Sequence, residues 1–147
     1  MRRDSRLSLV LHALLHMREL GLVTSETMAK MLHTNPVVVR RTMAGLREAG
    51  FVQSEKGHGG GWKLVRKLDD ITLGDVYDAI ASPPLFSIGP RVESPGCLIE
   101  QAVDRVVGSA LDEAEALVLT RLRAVTVAEI VTEAKRHGPL AKRTAQE

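Results

Sequence analysis

The run from Asn35 to Arg66, NPVVVRRTMAGLREAGFVQSEKGHGGGWKLVR, decides how the rest of this chain is read. Its first half has the grammar of one helix. Asn35 offers a side-chain oxygen as N-cap, Pro36 suits the first helical position, where no N–H is needed, and Gly50 is a C-terminal stop. Between them Val39, Met43 and Leu46 share a face and are expected in a core, while Val37, Val38, Arg40, Arg41 and Arg47 point elsewhere. The second half alternates apolar and polar residues in FVQSE and again in WKLVR, as the strands of a hairpin do. Lys56 leads into the connecting loop, where Gly57, Gly59, Gly60 and Gly61 surround His58.

Upstream, SRLSLVLHALLHMREL (residues 5–20) sets Leu7, Val10, Leu11, Leu14 and Met17 on one helical face, with Ser5 as N-cap and Gly21 closing the helix. VTSETMAKMLHT then gives a short helix capped by Thr24 or Ser25 that buries Met28, Ala29 and Leu32. The step His33-Thr34-Asn35 joins it to the next helix. The order helix, helix, short turn, helix, hairpin is that of a helix-turn-helix followed by a wing.

In such a unit the start of the second helix faces base edges in the major groove of DNA. Thr34, Asn35, Val37, Val38, Arg40, Arg41 and Arg47 are the candidate contacts. Arginines suit guanine edges or phosphates, valine methyls suit thymine methyls, and the helix N-terminus suits phosphate. A basic face that is merely solvated has little use for two β-branched apolar residues. In the wing, glycines would let backbone approach the duplex, with Lys56, Gly57, His58, Gly59, Gly60 and Lys63 as candidate contacts and Lys56 directed at the minor groove. A nucleotide-binding P-loop needs GxxxxGK[ST] and a following helix, and GHGGGWKL has neither.

Charge agrees with this division. Residues 1–67 carry 12 Lys and Arg against 5 Asp and Glu, a balance of +7, whereas residues 68–147 carry 8 against 13, a balance of −5. A basic half joined to an acidic half is expected of a polyanion-binding module with an appendage. The 3% aromatic content argues against stacking on unpaired bases. With one cysteine, no apolar run near the ~20 residues of a membrane span and no signal-peptide core, the expectation is a cytoplasmic protein that meets no membrane. No Ser-His-Asp pattern, paired carboxylates or cofactor fingerprint indicates an enzyme.

In the acidic half, ITLGDVYDAI opens with Thr72 as N-cap and Asp75 in a capping-box position, and VTVAEIVTEA repeats the device with Thr126 and Glu129. Between them ASPPLFSIGPRVESPG holds four of the six prolines and reads as a linker or sensor loop. A long helix is expected from Ser94, its N-cap, and Pro95, its first residue. Its apolar positions form two overlapping stripes, Ile99, Val103, Val106 and Ala110 beside Leu98, Ala102, Val107, Leu111, Ala114 and Val118. So wide an apolar arc asks for a partner helix, and a symmetric homodimer supplies one. Ile99, Val103, Val106, Ala110, Leu111 and Ala114 are the expected interface.

Three pieces, LREAG at the end of the third helix, GHGGGWKL in the wing and ITLGDV at the next helix start, resemble the winged-helix domain of the Rrf-type regulators, the IscR/NsrR-like family. The similarity continues to about residue 134. It implies a bacterial homodimeric transcription factor on operator DNA. His58 departs from the family pattern, which usually has proline there. Cys97 falls where iron–sulfur members have the last of three cysteines, spaced roughly six apart and followed three residues on by histidine. Here those positions hold Leu85, Arg91 and Glu100, so no iron–sulfur cluster is expected. Cys97 is then a sensor thiol for an oxidant or electrophile, a buried packing residue, or part of a pocket for a small effector. His12 and His16 have the i, i+4 spacing of metal ligands, but with no third ligand nearby in sequence no metal site is assigned.

The expected architecture is mainly α with a small β-hairpin wing: a winged helix-turn-helix (1–80), a linker (81–96), a dimerisation helix with a C-terminal helix (97–137) and a tail (138–147). The expected function is a sequence-specific regulator, a repressor, binding a near-palindromic operator as a homodimer. The rival reading is a winged-helix protein-interaction module without DNA binding.

Overall fold

The order expected from sequence is the order observed. A computed structural model describes residues 4–88 and 96–137. Its elements are α1 (Arg6–Leu20), α2 (Ser25–Met31), α3 (Pro36–Glu48), β1 (Val52–Glu55), β2 (Gly61–Leu64), a 3-10 turn (Leu68–Asp70), α4 (Leu73–Ala79), α5 (Leu98–Ala124) and α6 (Val127–Arg136). The strands pair antiparallel, Val52 opposite Leu64 and Glu55 opposite Gly61. The tail expected at 138–147, and Ser94 and Pro95, lie outside the described residues.

Local chemistry explains the helix boundaries. At α2 the Thr24 hydroxyl accepts the Thr27 N–H at 3.0 Å, and at α3 the Asn35 Oδ1 accepts the Val38 N–H at 3.0 Å. Between them His33 takes φ 52°, a left-handed value that histidine enters more readily than bulky or β-branched residues. Gly50, at φ 78°, turns the chain out of α3. The α1 start differs from expectation. The Ser5 side chain makes no capping bond, and Asp4 Oδ1 accepts the Arg6 N–H at 2.9 Å instead. A carboxylate is the better acceptor next to a helix N-terminus.

The core is built from α1 (Val10, Ala13, Leu14, Met17), α2 (Met28, Ala29), α3 (Val39, Met43, Leu46), the hairpin (Val52, Trp62) and α4 (Val76). Leu7 and Leu11, expected in the α1 face, are only partly buried against it, and Ala13 takes the deeper position. The hairpin is tied back to the helices through a bridge between Val23 and Trp62, whose backbones exchange hydrogen bonds of 2.8 and 2.9 Å.

The two capping-box starts meet in space. Thr72 and Asp75 cap each other reciprocally at 2.8 and 3.0 Å, and the Thr126 N–H donates to Glu129 Oε2 at 2.6 Å. The residues around them bridge, with Leu73 N–H on Val125 O and Val127 N–H on Ile71 O, both at 2.8 Å. Val127 is thereby inserted into the core of the first 80 residues, although sequence assigned α6 to the dimerisation unit.

Helix α5 begins at Leu98, not at Ser94. Cys97, in extended backbone (φ −80°, ψ 117°), is its N-cap rather than a residue of its first turn. The helix runs unbroken through Gly108 for 27 residues, and none of them is buried. Its C-terminal end is seated against α4, where Gly74 leaves room for Arg123. A Cβ on Gly74 would lie 3.1 Å from the Arg123 Cα.

Candidate nucleic-acid interface

Helix α3 divides as its sequence predicts. Val39, Met43 and Leu46 face the core, Val37, Arg40, Arg41 and Arg47 are exposed, and Val38 is half-buried. The first turn is less open to an anion than expected. Pro36 has no N–H and Asn35 holds that of Val38, so the Val37 N–H is the first-turn donor without a partner among the described residues. Thr34 is half-buried, its N–H given to Ala29 O at 2.9 Å.

An open groove runs between the start of α2, α3 and the wing. It brings Arg40 together with Gly57, His58, Gly59 and Gly60, and with Thr24, Ser25, Glu26 and Ser54. Arg41, Arg47 and Lys56 are exposed outside this lining. Arg40 is not a free cation: its Nη1 lies 3.5 Å from Glu26 Oε1, both side chains being more than half exposed. Lys63 is paired across the hairpin with Glu55. Solvent screens both pairs, so either arginine or lysine can be drawn to a phosphate at little cost.

The wing glycines have internal reasons to be glycine that sequence reasoning missed. Gly57 and Gly59 take φ 95° and 76°, and at Gly61 a Cβ would lie 2.5 Å from Val23 O, while at Gly60 it would overlap Glu55 O. The residues set the turn and its close docking first, whatever lies beyond it. Sequence reasoning also missed what anchors the wing. The Trp62 indole N–H donates to the buried Ser25 hydroxyl at 3.0 Å. No local pattern could reveal it, because the partners are 37 residues apart.

Away from the groove, Cys97 is exposed, which removes the buried-packing reading for a single chain. The exposed apolar residues of α5 include Leu98, Ile99, Val103, Val106, Val107, Leu117 and Val118. Ala110 is exposed as well, and Leu111 and Ala114 are half-buried. Among the described residues no helix is long and apolar enough to cross a membrane, and no group of three or more His, Cys, Asp or Glu converges as a metal site.

A basic recognition helix beside a glycine-built wing is a DNA-binding arrangement, and the family model for Rrf2, described as an iron-dependent transcriptional regulator, matches residues 3–133. The chain belongs to the Rrf2 family. YwnA of Bacillus subtilis (strain 168), which carries the name of an HTH-type transcriptional regulator, is 33% identical over 111 residues, 75% of this chain and 79% of that protein. YwgB of the same strain, named likewise, is 40% identical over 58 residues, 40% of this chain but only 37% of that protein. Solved structures share the fold. A Lactobacillus plantarum protein that carries the name of a transcriptional regulator superposes with TM-score 0.77 at 24% identity, covering 90% of this chain and 91% of the other. IscR of T. potens superposes with TM-score 0.66 at 20% identity, covering 100% and 94%. As an Rrf2 protein the chain is a winged-helix transcriptional regulator, as its sequence indicates.

Proposed function

We propose that this Rrf2 protein is a homodimeric repressor, each protomer laying α3 in a major groove and its wing along the adjoining backbone. The supporting observation is the exposed set Val37, Arg40, Arg41 and Arg47 on one helix, flanked by a loop with almost no side chains. Dimerisation through α5 rests on its uncovered apolar face, and a two-fold dimer implies a near-palindromic operator with half-sites about one helical turn apart. Occupying such a site blocks transcription. Arg40→Ala and Arg41→Ala are expected to lose ~1–3 kcal/mol each in operator binding where the arginine reads a base. Electrophoretic or anisotropy titrations check this, and unchanged affinity in both variants contradicts the placement of α3.

The family's iron chemistry is not carried over. A cluster usually takes four protein ligands, and this chain offers one thiol, exposed at a helix N-cap, with no convergent donors around it among the described residues. The residues do not fit the group. Signalling instead rests on Cys97, whose exposure at the start of α5 suits oxidation, an adduct or a disulfide to its symmetry mate. Operator affinity before and after peroxide, with Cys97→Ser beside it, decides the point. Unchanged affinity moves the effector site to the loop at 81–96.

A further inference from the structure

His12 and His16 stand one turn apart on α1, on the side turned away from the buried Val10, Ala13, Leu14 and Met17. Their Nε2 atoms are 2.9 Å apart, with ring centroids 4.6 Å apart and planes tilted by 36°. Without a metal, one Nε2–H donates to the other nitrogen's lone pair. The same convergence has a second use. Two metal–imidazole bonds of ~2.0–2.1 Å meeting at a right angle hold their nitrogens ~2.9 Å apart, and a tetrahedral angle widens this to ~3.3 Å. A right angle is that of neighbouring ligands in the tetragonal sites of copper and nickel.

We propose that His12 and His16 form a bidentate site for a divalent transition cation of the copper, nickel and zinc class. The cation takes the place of the shared proton between the two Nε2 atoms, and water fills the remaining positions. No third protein donor converges on the pair among the described residues, so the two imidazoles carry the affinity. Both are held on a helix whose opposite face is locked in the core, so little freedom is lost on binding. Neither histidine lines the groove between α3 and the wing, so a bound ion leaves that surface open. This assigns a cation site to the DNA-binding half itself, independent of Cys97.

Calorimetric titration of untagged full-length protein with Ni²⁺ and Zn²⁺, and with Cu²⁺ in a Cys97→Ser background so that thiol chemistry does not contribute, tests the site without DNA. One ion per chain is expected, copper binding most tightly. His12→Ala and His16→Ala should each weaken binding at least about ten-fold, since even an outer-shell partner is worth that much. A bound ion should raise the melting temperature by about 5 °C or more at a hundred-fold excess over Kd, in the parent and not in the variants. Far-ultraviolet dichroism shows that the variants stay folded, and His16→Gln, which keeps a polar side chain of similar bulk, repeats the test. Absence of binding, or binding that survives loss of either histidine while His33, His58 and His137 remain, overturns the proposal and leaves the DNA reading intact.

Discussion

Leu14 and Val106 are both aliphatic residues on a regular apolar face, yet Leu14 has no exposed surface while Val106 keeps 72% of its own. The first belongs to a core closed by α1, α2, α3, α4, the hairpin and α6 within one chain. The second belongs to a 27-residue helix in which nothing is buried. Both faces carry apolar residues at helical spacing. That spacing says that a face needs cover, and leaves open whether the cover comes from the same chain.

Damage to each region in kind should have different consequences. Leu14→Ala should cost ~2–5 kcal/mol through transfer and cavity terms, out of ~5–15 for an ordinary domain. That loss should not depend on protein concentration beyond what the proposed dimer imposes. Val106→Glu with Leu111→Glu should instead dissolve the proposed dimer, sedimentation falling to the 16.0 kDa of one chain while the winged unit stays folded. A folded dimer of unchanged mass would move the interface off α5.

A smaller effect is expected where the wing is tied to the core. Ser25→Ala leaves the indole N–H of Trp62 buried without its acceptor, at a cost of ~1–3 kcal/mol. Trp62 is the chain's single tryptophan, so its fluorescence reports the change directly. An unaltered denaturation midpoint and spectrum would show that the Val23 bridge alone holds the wing. Smallest is Lys56→Ala, which should weaken binding nearly uniformly across DNA sequences and lower the salt slope by about one. A sequence-dependent loss would mean that Lys56 reads bases.

Local chemistry predicted from sequence holds at three helix starts and fails at α1, where Asp4 takes the place expected of Ser5. Thr24, Asn35 and Thr72 each cap the helix that follows, because a side-chain oxygen and a neighbouring N–H settle the matter within four residues. The core face of α3 was legible for the same reason. The α5 start was not, since Ser94-Pro95 is an N-terminal signal that competes with the less obvious cap at Cys97. Non-local pairings were invisible too: Trp62 with Ser25, Val127 in the first domain's core, and the carbonyls of Glu55 and Val23 that require glycine at 60 and 61. In the candidate site, the division of α3 into a buried and an exposed face was legible, while Glu26 beside Arg40 and Glu55 on Lys63 appear only once α2 and β1 are placed.

On the proposed function, the exposed face of α3 reads duplex sequence from a two-fold dimer. Selection of duplexes from a random pool by nanomolar purified protein at moderate salt tests it most directly. A near-palindrome whose half-sites lie about one helical turn apart should be enriched. Recovery of no sequence above the random background would contradict it, and would leave a winged-helix module that binds protein rather than DNA.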